Sequence, residues 1–251
     1  MKEQIHTIPV SEGFESGDEC PFCFMERQVE RNAIRYFAGP GASYMEPDVR
    51  AATDRTGFCT VHMKKLYDYG NTLGSALMLQ THFAGILEEF QHLAAEFQPP
   101  EKKSLFARKK QIIEKNPCWK DMQEQVDSCA ICDKIEYNMQ RYYETFFVMI
   151  RDAQFREKVE GCKGFCLRHF ARLLKEAEKE LPNGQREWFY PAVFSLMEEN
   201  LIRVKQDLDW LIAKYDYRNA GADWKNSRDA LQRTMQKLQG LHPADPVYKN
   251  E

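Results

Sequence analysis

Apolar residues recur along most of this chain at spacings of three, four and seven, the period of one face of an α-helix. The clearest run is Ile135, Met139, Tyr142, Tyr143, Phe146 and Ile150. A matching helix is predicted over Phe24 to Phe37, closed by Gly39-Pro40-Gly41. Longer stripes follow in each half: Leu73, Leu77, Phe83, Ile86, Leu87, Phe90 and Phe97, then Val193, Leu196, Met197, Leu201, Val204, Leu208, Leu211 and Ile212. A last helix is predicted over Asp223 to Gln239, capped by Asp223, with Trp224, Leu231, Met235 and Leu238 on one face, and it is expected to pack back on the body. No segment alternates with period two. The expected fold class is all-α, with at least about seven helices.

Punctuating this pattern is one order of signals that occurs twice. Cys20-Pro-Phe-Cys23 is followed by Gly57-Phe58-Cys59-Thr-Val-His62, and Cys129-Ala-Ile-Cys132 by Gly164-Phe165-Cys166-Leu-Arg-His169. The gaps agree, with 35 residues between Cys23 and Cys59 and 33 between Cys132 and Cys166. Glu30, Asn32, Arg35 and Tyr36 match Glu136, Asn138, Arg141 and Tyr142, and Val49-Arg50 matches Phe155-Arg156. These correspondences predict internally duplicated helical repeats, each with a Cys3His metal knuckle. The expected organisation is a first repeat over 1–98, a basic connector over 99–126, a second repeat over 127–216, and a C-terminal helix and tail over 217–251 that packs on the body.

Two cysteines separated by two residues aim both sulfurs at one point, and a Cys-x-x-His pair at the start of a helix supplies the other half of a tetrahedral site. The expected ligands are Cys20, Cys23, Cys59 and His62, then Cys129, Cys132, Cys166 and His169. Within each half the site would tie a helix start to a knuckle about 35 residues earlier. Four protein ligands leave no open position, so the expected cofactors are two structural zinc ions. An iron–sulfur cluster is the alternative, although such clusters more often use four cysteines. Thiol exchange at Cys20-Pro-Phe-Cys23 lacks the βαβ surroundings that would support it.

Charge and composition narrow the partners. A formal charge of −3 offers no attraction to phosphate, so nucleic acid is a poor expected partner. No stretch approaches the ~20 apolar residues that span a bilayer, and no secretion signal opens the chain. A cytoplasmic protein is expected, in which eight cysteines point to metal rather than disulfides. Between residues 101 and 115 lie six Lys or Arg, read as a connector helix with a solvated basic face. Cys118 and Cys162 have no counterpart in the first half and read as buried thiols, with a redox pairing as the alternative. His82 reads as a core histidine, and Glu89 with His92 as a solvated pair. The repeated Arg35, Arg141, Tyr36 and Tyr142 are candidates either for ties between helices or for a cleft that binds a small anionic ligand.

The paired Cys-x-x-Cys and Gly-Phe-Cys-x-x-His elements resemble those of a bacterial family known only as a domain of unknown function, over about Cys20 to Tyr215. The resemblance implies similar architecture and metal ligation, and no activity. With no nucleophile–base pair and no phosphate loop, the expectation is a zinc-binding helical binding or adaptor module whose partner is a protein or a small anion. No catalytic residue is assigned. A metal-cluster or thiol-based redox protein is the alternative.

Overall fold

In a computed structural model the chain is described over residues 6–41, 43–97, 117–240 and 247–249. All regular structure among these residues is helical. The basic run 101–115 and the Pro99-Pro100 break before it lie outside the described residues. In chain order the helices are α1 (Thr7–Glu15), α2 (Pro21–Ala38), α3 (Pro47–Thr56), α4 (Thr60–Tyr69), α5 (Thr72–Glu96), α6 (Pro117–Asp127), α7 (Ala130–Met149), α8 (Ala153–Glu160), α9 (Leu167–Glu180), α10 (Arg186–Ala213) and α11 (Ala230–Gln239). The succession long, short, short, long occurs twice, as α2 to α5 and as α7 to α10.

Local chemistry sets several boundaries. Asn71 accepts from Gly74 N at 3.0 Å at the start of α5, and Asp152 accepts from Gln154 N at 2.8 Å at the start of α8. Gly70 and Gly240 end α4 and α11 in the left-handed conformation that stops a helix without steric cost.

Residues 1–29 and 136–246 form one compact unit, and residues 30–135 with 247–251 form the other. The boundary therefore falls inside α2 and inside α7, and each unit draws on both halves of the sequence. The first unit is built on aromatic rings: Phe22 stacks on Tyr143 at 4.2 Å, and Phe14 meets Phe146 stacked and Phe155 and Phe165 edge to face beside it. The second has a smaller core of Ile34, Phe37, Val49, Phe58, Leu66, Met78 and Ile131.

Two predicted faces are placed differently. The expected C-terminal helix starts at Ala230 rather than Asp223, because Asp223 instead caps a turn at Lys225, whose φ of +50° is incompatible with a helix. This helix also buries its polar side: Arg233, Gln236 and Lys237 are buried, whereas Leu231, Met235 and Leu238 are exposed. In α5 only Gly74 and Met78 are fully buried, and Leu73, Phe83, Leu87, Phe90 and Phe97 of the predicted stripe are exposed. The helix packs on α3 and α4, which are too short to cover 25 residues.

Candidate metal centres

All four cysteine motifs occupy one structural position. Cys20, Cys59, Cys129 and Cys166 stand immediately before α2, α4, α7 and α9, and the carbonyl of each accepts the first helical hydrogen bond, from the N–H of Phe24, Met63, Asp133 and Phe170 respectively. Each second ligand, Cys23, His62, Cys132 or His169, follows three residues later in the first turn. The Cys-x-x-Cys pairs are thus helix starts themselves rather than knuckles ahead of a helix. Backbone N–H groups of the first turn point toward the sulfurs, with His169 N 3.4 Å from Cys166 Sγ and Cys132 N 3.5 Å from Cys129 Sγ. A helix N-terminus favours the thiolate over the thiol.

These half-sites meet in pairs, but across the halves of the chain. One cluster is Cys20, Cys23, Cys166 and His169, and the other is Cys59, His62, Cys129 and Cys132, with the ligand atoms of each within 4.8 Å of one another. The expected pairing within each half is therefore corrected. Its failure follows from the length of α2. Glu30 touches His62, and Glu30 stands seven residues beyond Cys23, which in an α-helix is roughly 10 Å along the axis. Cys59 and His62 form their cluster with the start of α7, inside the second unit.

In both clusters the histidine turns Nδ1 inward. His169 Nδ1 lies 3.5, 3.3 and 3.3 Å from the sulfurs of Cys20, Cys23 and Cys166. His62 Nδ1 lies 3.3 Å from each sulfur of Cys59, Cys129 and Cys132. Sulfurs from opposing half-sites are 3.6 Å apart in the first cluster (Cys23 and Cys166) and 3.8 Å in the second (Cys59 and Cys132). The outer nitrogens face carboxylates: His62 Nε2 is 3.1 Å from Glu30, and His169 Nε2 is 3.6 Å from Glu26. A carboxylate at Nε2 fixes the tautomer that leaves Nδ1 free to bind a metal. Each cluster can hold one metal ion.

The phenylalanines beside the ligands anchor the half-sites in the core, with Phe22 and Phe165 in one unit and Phe58 in the other. Gly57 and Gly164 both take positive φ, +54° and +76°. At Gly57 an added Cβ would come within 2.3 Å of the His82 ring, so any side chain there would force that ring to move. His82 itself is satisfied, its Nδ1 bonded to the Asp54 carbonyl at 2.8 Å.

The two half-sites of each cluster are tied together differently. In the second, Ala130 N donates to Gly57 O at 3.0 Å and Ser128 Oγ to Thr56 O at 2.7 Å. In the first, Pro21 stands where Ala130 does and has no N–H to give. There the ammonium of Lys237, from α11, donates to the carbonyls of Glu19 and Lys163, one in each half-site loop. Lys237 is 2% exposed, and the buried Glu19 carboxylate faces it at 3.2 Å and Arg203 at 2.6 Å. Burial lowers the Lys237 pKa. Burial also works against ionised Glu19, but Arg203 and Lys237 outweigh it and hold the carboxyl below its usual range.

Three thiols this close do not all ionise unless a cation neutralises them. Hydrogen bonds from Cys20 and Cys23 pull Cys166 far below the usual thiol range, while burial pushes Cys20 up and its hydrogen bonding with Cys166 pushes Cys23 up. In the second cluster burial opposes a Cys129 thiolate, but His62 outweighs it and brings the thiol down to about 6. Burial and the Cys129 charge push Cys132 up. Burial likewise opposes charge on His62, yet its hydrogen bonds to Cys129 and Glu30 raise it to about 10. Glu30, despite burial, is held at about 2 by His62 and Lys65.

The other predicted site residues do not gather at the metals. Arg35 and Tyr36 belong to the second unit and are exposed, with Lys134 Nζ 3.8 Å from the Tyr36 ring centre. Arg141 belongs to the first unit, lies over the Tyr137 ring and donates to its hydroxyl, and Tyr142 is buried edge-on to His6. The repeated glutamates do act alike. Glu30 pairs with Lys65 at 2.5 Å and Glu136 with Arg172 at 2.6 Å, each base standing three residues after the ligand histidine. Cys162 is half-buried, and burial pushes its thiol up to about 11. The side chain of Cys118 lies outside the described residues. Glu89 and His92 are both exposed, bonded to Gln125 and Glu96. Sequence pattern did not mark Lys237, Glu26 or Tyr248, whose hydroxyl donates to Glu30 at 3.1 Å. Nor did it mark an open apolar groove of about 830 Å³ between α5 and α6, walled by Phe58, Met63, Phe83, Phe90, Met122 and Val126.

No helix among the described residues is long and apolar enough to cross a membrane. No curated protein and no solved structure matches the chain. A family model does match, over residues 1–245, and with nearly the whole sequence inside it the chain belongs to the family of unknown function DUF6062.

Proposed function

We propose that this is a zinc-stapled helical binding protein, in which two Cys3His sites lock the starts of four helices in pairs and the fold so fixed presents a surface to a partner. The observation that carries the metal reading is the size of the two cages. Tetrahedral zinc with arms of about 2.3 Å to sulfur and about 2.05 Å to nitrogen has edges of about 3.8 Å between sulfurs and about 3.6 Å from sulfur to nitrogen. The clusters offer 3.6 and 3.8 Å for the former and 3.3–3.5 Å for the latter. A metal–sulfide cluster holds its cysteines farther apart, around several ions rather than one. The match between α2 to α5 and α7 to α10, with ligands and the Glu–base pairs at equivalent places, supports descent from a duplicated unit.

A Cys3His set fills the coordination sphere, so the reading is structural rather than catalytic. The binding half of the proposal is supported by the groove on α5 and α6, where exposed Phe83 and Phe90 leave apolar area open to an apolar partner.

Metal analysis of protein purified under reducing conditions tests the first half: two zinc per chain and no visible colour are expected, and a brown protein absorbing near ~400 nm would refute it. An apolar fluorescent probe tests the second. It should brighten on the native chain and lose that signal in Phe83→Asp; no binding, or binding unchanged by the substitution, would remove the groove from the proposal.

A further inference from the structure

The two clusters carry the same ligands but meet solvent differently. Cys20, Cys23, Cys166 and His169 are all buried, with Cys20 and Cys166 at 0% exposure. In the other cluster His62 and Cys129 are buried, Cys59 is half-buried and Cys132 is exposed. Position by position, Cys132 corresponds to Cys23 at 1% exposure and Cys59 to Cys166.

Identifiable parts cause the difference. Helix α11 packs on α9 and α10, and Lys237 clamps the two half-site loops of the first cluster together. Gly240, ending α11, sits so close that a Cβ there would be 3.3 Å from Cys166 Sγ. Arg168 lies across the same edge, its guanidinium gripping both oxygens of Glu26. Where the first cluster has Arg168 the second has Val61, which is 59% exposed and carries no charge. Among the described residues no helix plays the part of α11 at the second cluster.

The geometry points to the second cluster as a metal-exchange site, open to an incoming thiol through Cys132, while the first is a permanent staple. This inference rests on the proposal that both clusters hold zinc. An incoming small thiol would bind as its thiolate and pass its proton to Cys132 as that ligand lets go, so one metal–sulfur bond forms as one breaks and no electron moves. The buried Cys129 and His62 would remain bound until further thiols or a chelator complete the release. At the first cluster no sulfur is accessible for such an attack, and release there requires α11 to come away first.

The test uses the full chain loaded with two zinc, mixed with a colorimetric zinc chelator with and without glutathione as the thiol, and followed by absorbance. One of the two metals should leave in a fast phase that glutathione accelerates, and the other in a slow phase that it does not. Cys132→Ser should abolish the fast phase and leave a single slow metal. A brief N-ethylmaleimide pulse, read by peptide mass spectrometry, should label Cys132 and Cys59 ahead of Cys20, Cys23 and Cys166. Lys237→Met should speed the slow phase alone. Both metals leaving in one phase, or a fast phase that survives Cys132→Ser, would overturn the inference while leaving the zinc reading intact. A chain that takes up no zinc would overturn the zinc reading itself, and would show before any exchange is measured.

Discussion

Alanine replacement of single ligands, alone and in pairs, decides which half-sites share a metal. Cys23 and Cys166 stand 143 residues apart but belong to one cluster, whereas Cys23 and Cys59 lie in the same half and belong to different clusters. Removing one ligand breaks a four-ligand set, so each single variant should bind one metal in place of two. Cys23→Ala with Cys166→Ala should still bind one, and Cys23→Ala with Cys59→Ala none. Structural zinc in small finger peptides contributes about 10–16 kcal/mol in apparent terms. Even a third of that, about 3–5 kcal/mol, is lost once per cluster rather than once per ligand. Urea unfolding should thus show a coupling of about 3 kcal/mol or more between Cys23 and Cys166, the upper end of what touching residues give. Cys23 and Cys59 should be additive within about 0.5 kcal/mol. Metal content by plasma emission after gel filtration supplies the independent count. A metal-free Cys23/Cys166 double variant beside a Cys23/Cys59 double variant that keeps one metal would refute the crossed pairing.

Further expectations concern the surroundings of the clusters. Glu30→Gln should weaken zinc at the second cluster about 10–100-fold, since the carboxylate orients His62, and leave the first unchanged; competition with a chelator of known affinity measures this. Gly70→Ala, in the left-handed well with open space around it, should cost about 1–2 kcal/mol, and Gly57→Ala more, because its φ of +54° with ψ of −145° suits glycine alone and the new Cβ meets the His82 ring. Thermal melts compare the two. Lys237→Met should cost about 3–5 kcal/mol in urea unfolding by leaving Glu19 and two carbonyls short of a partner, and a loss under about 1 kcal/mol would contradict the clamp. Because the metal-free second cluster holds a proton on His62 up to about pH 10 and Cys132 is pushed above the usual thiol range, zinc loading at neutral pH must release protons. Affinity should rise with pH between about 6 and 9, and calorimetry in buffers of different ionisation enthalpy should show the release; a flat profile would contradict these shifts.

Helical class, the Cys and His residues that cluster and the repeated order of elements are all legible from residue pattern, because hydrophobic period and residue spacing are local properties. A Cys at the N-cap and a ligand three residues on is a one-turn statement, and it holds at all four helix starts. The burial of α11 by its charged side escapes the same reading, since Arg233 and Lys237 are stabilised by Glu19 and Asp207, which are distant in sequence. The apolar stripe of α5 is likewise correct as a period and wrong as a core, because burial depends on what packs against the helix.

Residue pattern defines four equivalent half-sites, each able to supply two ligands, and is silent about which of them join. Pairing within a half and pairing across halves use the same motifs and the same spacings. Packing chooses between them: the 18 residues of α2 rise about 27 Å along the helix axis, away from Cys20 and Cys23 at its start. It also made unequal two sites that look alike in sequence: α11 and Arg168 seal one, and nothing comparable among the described residues seals the other.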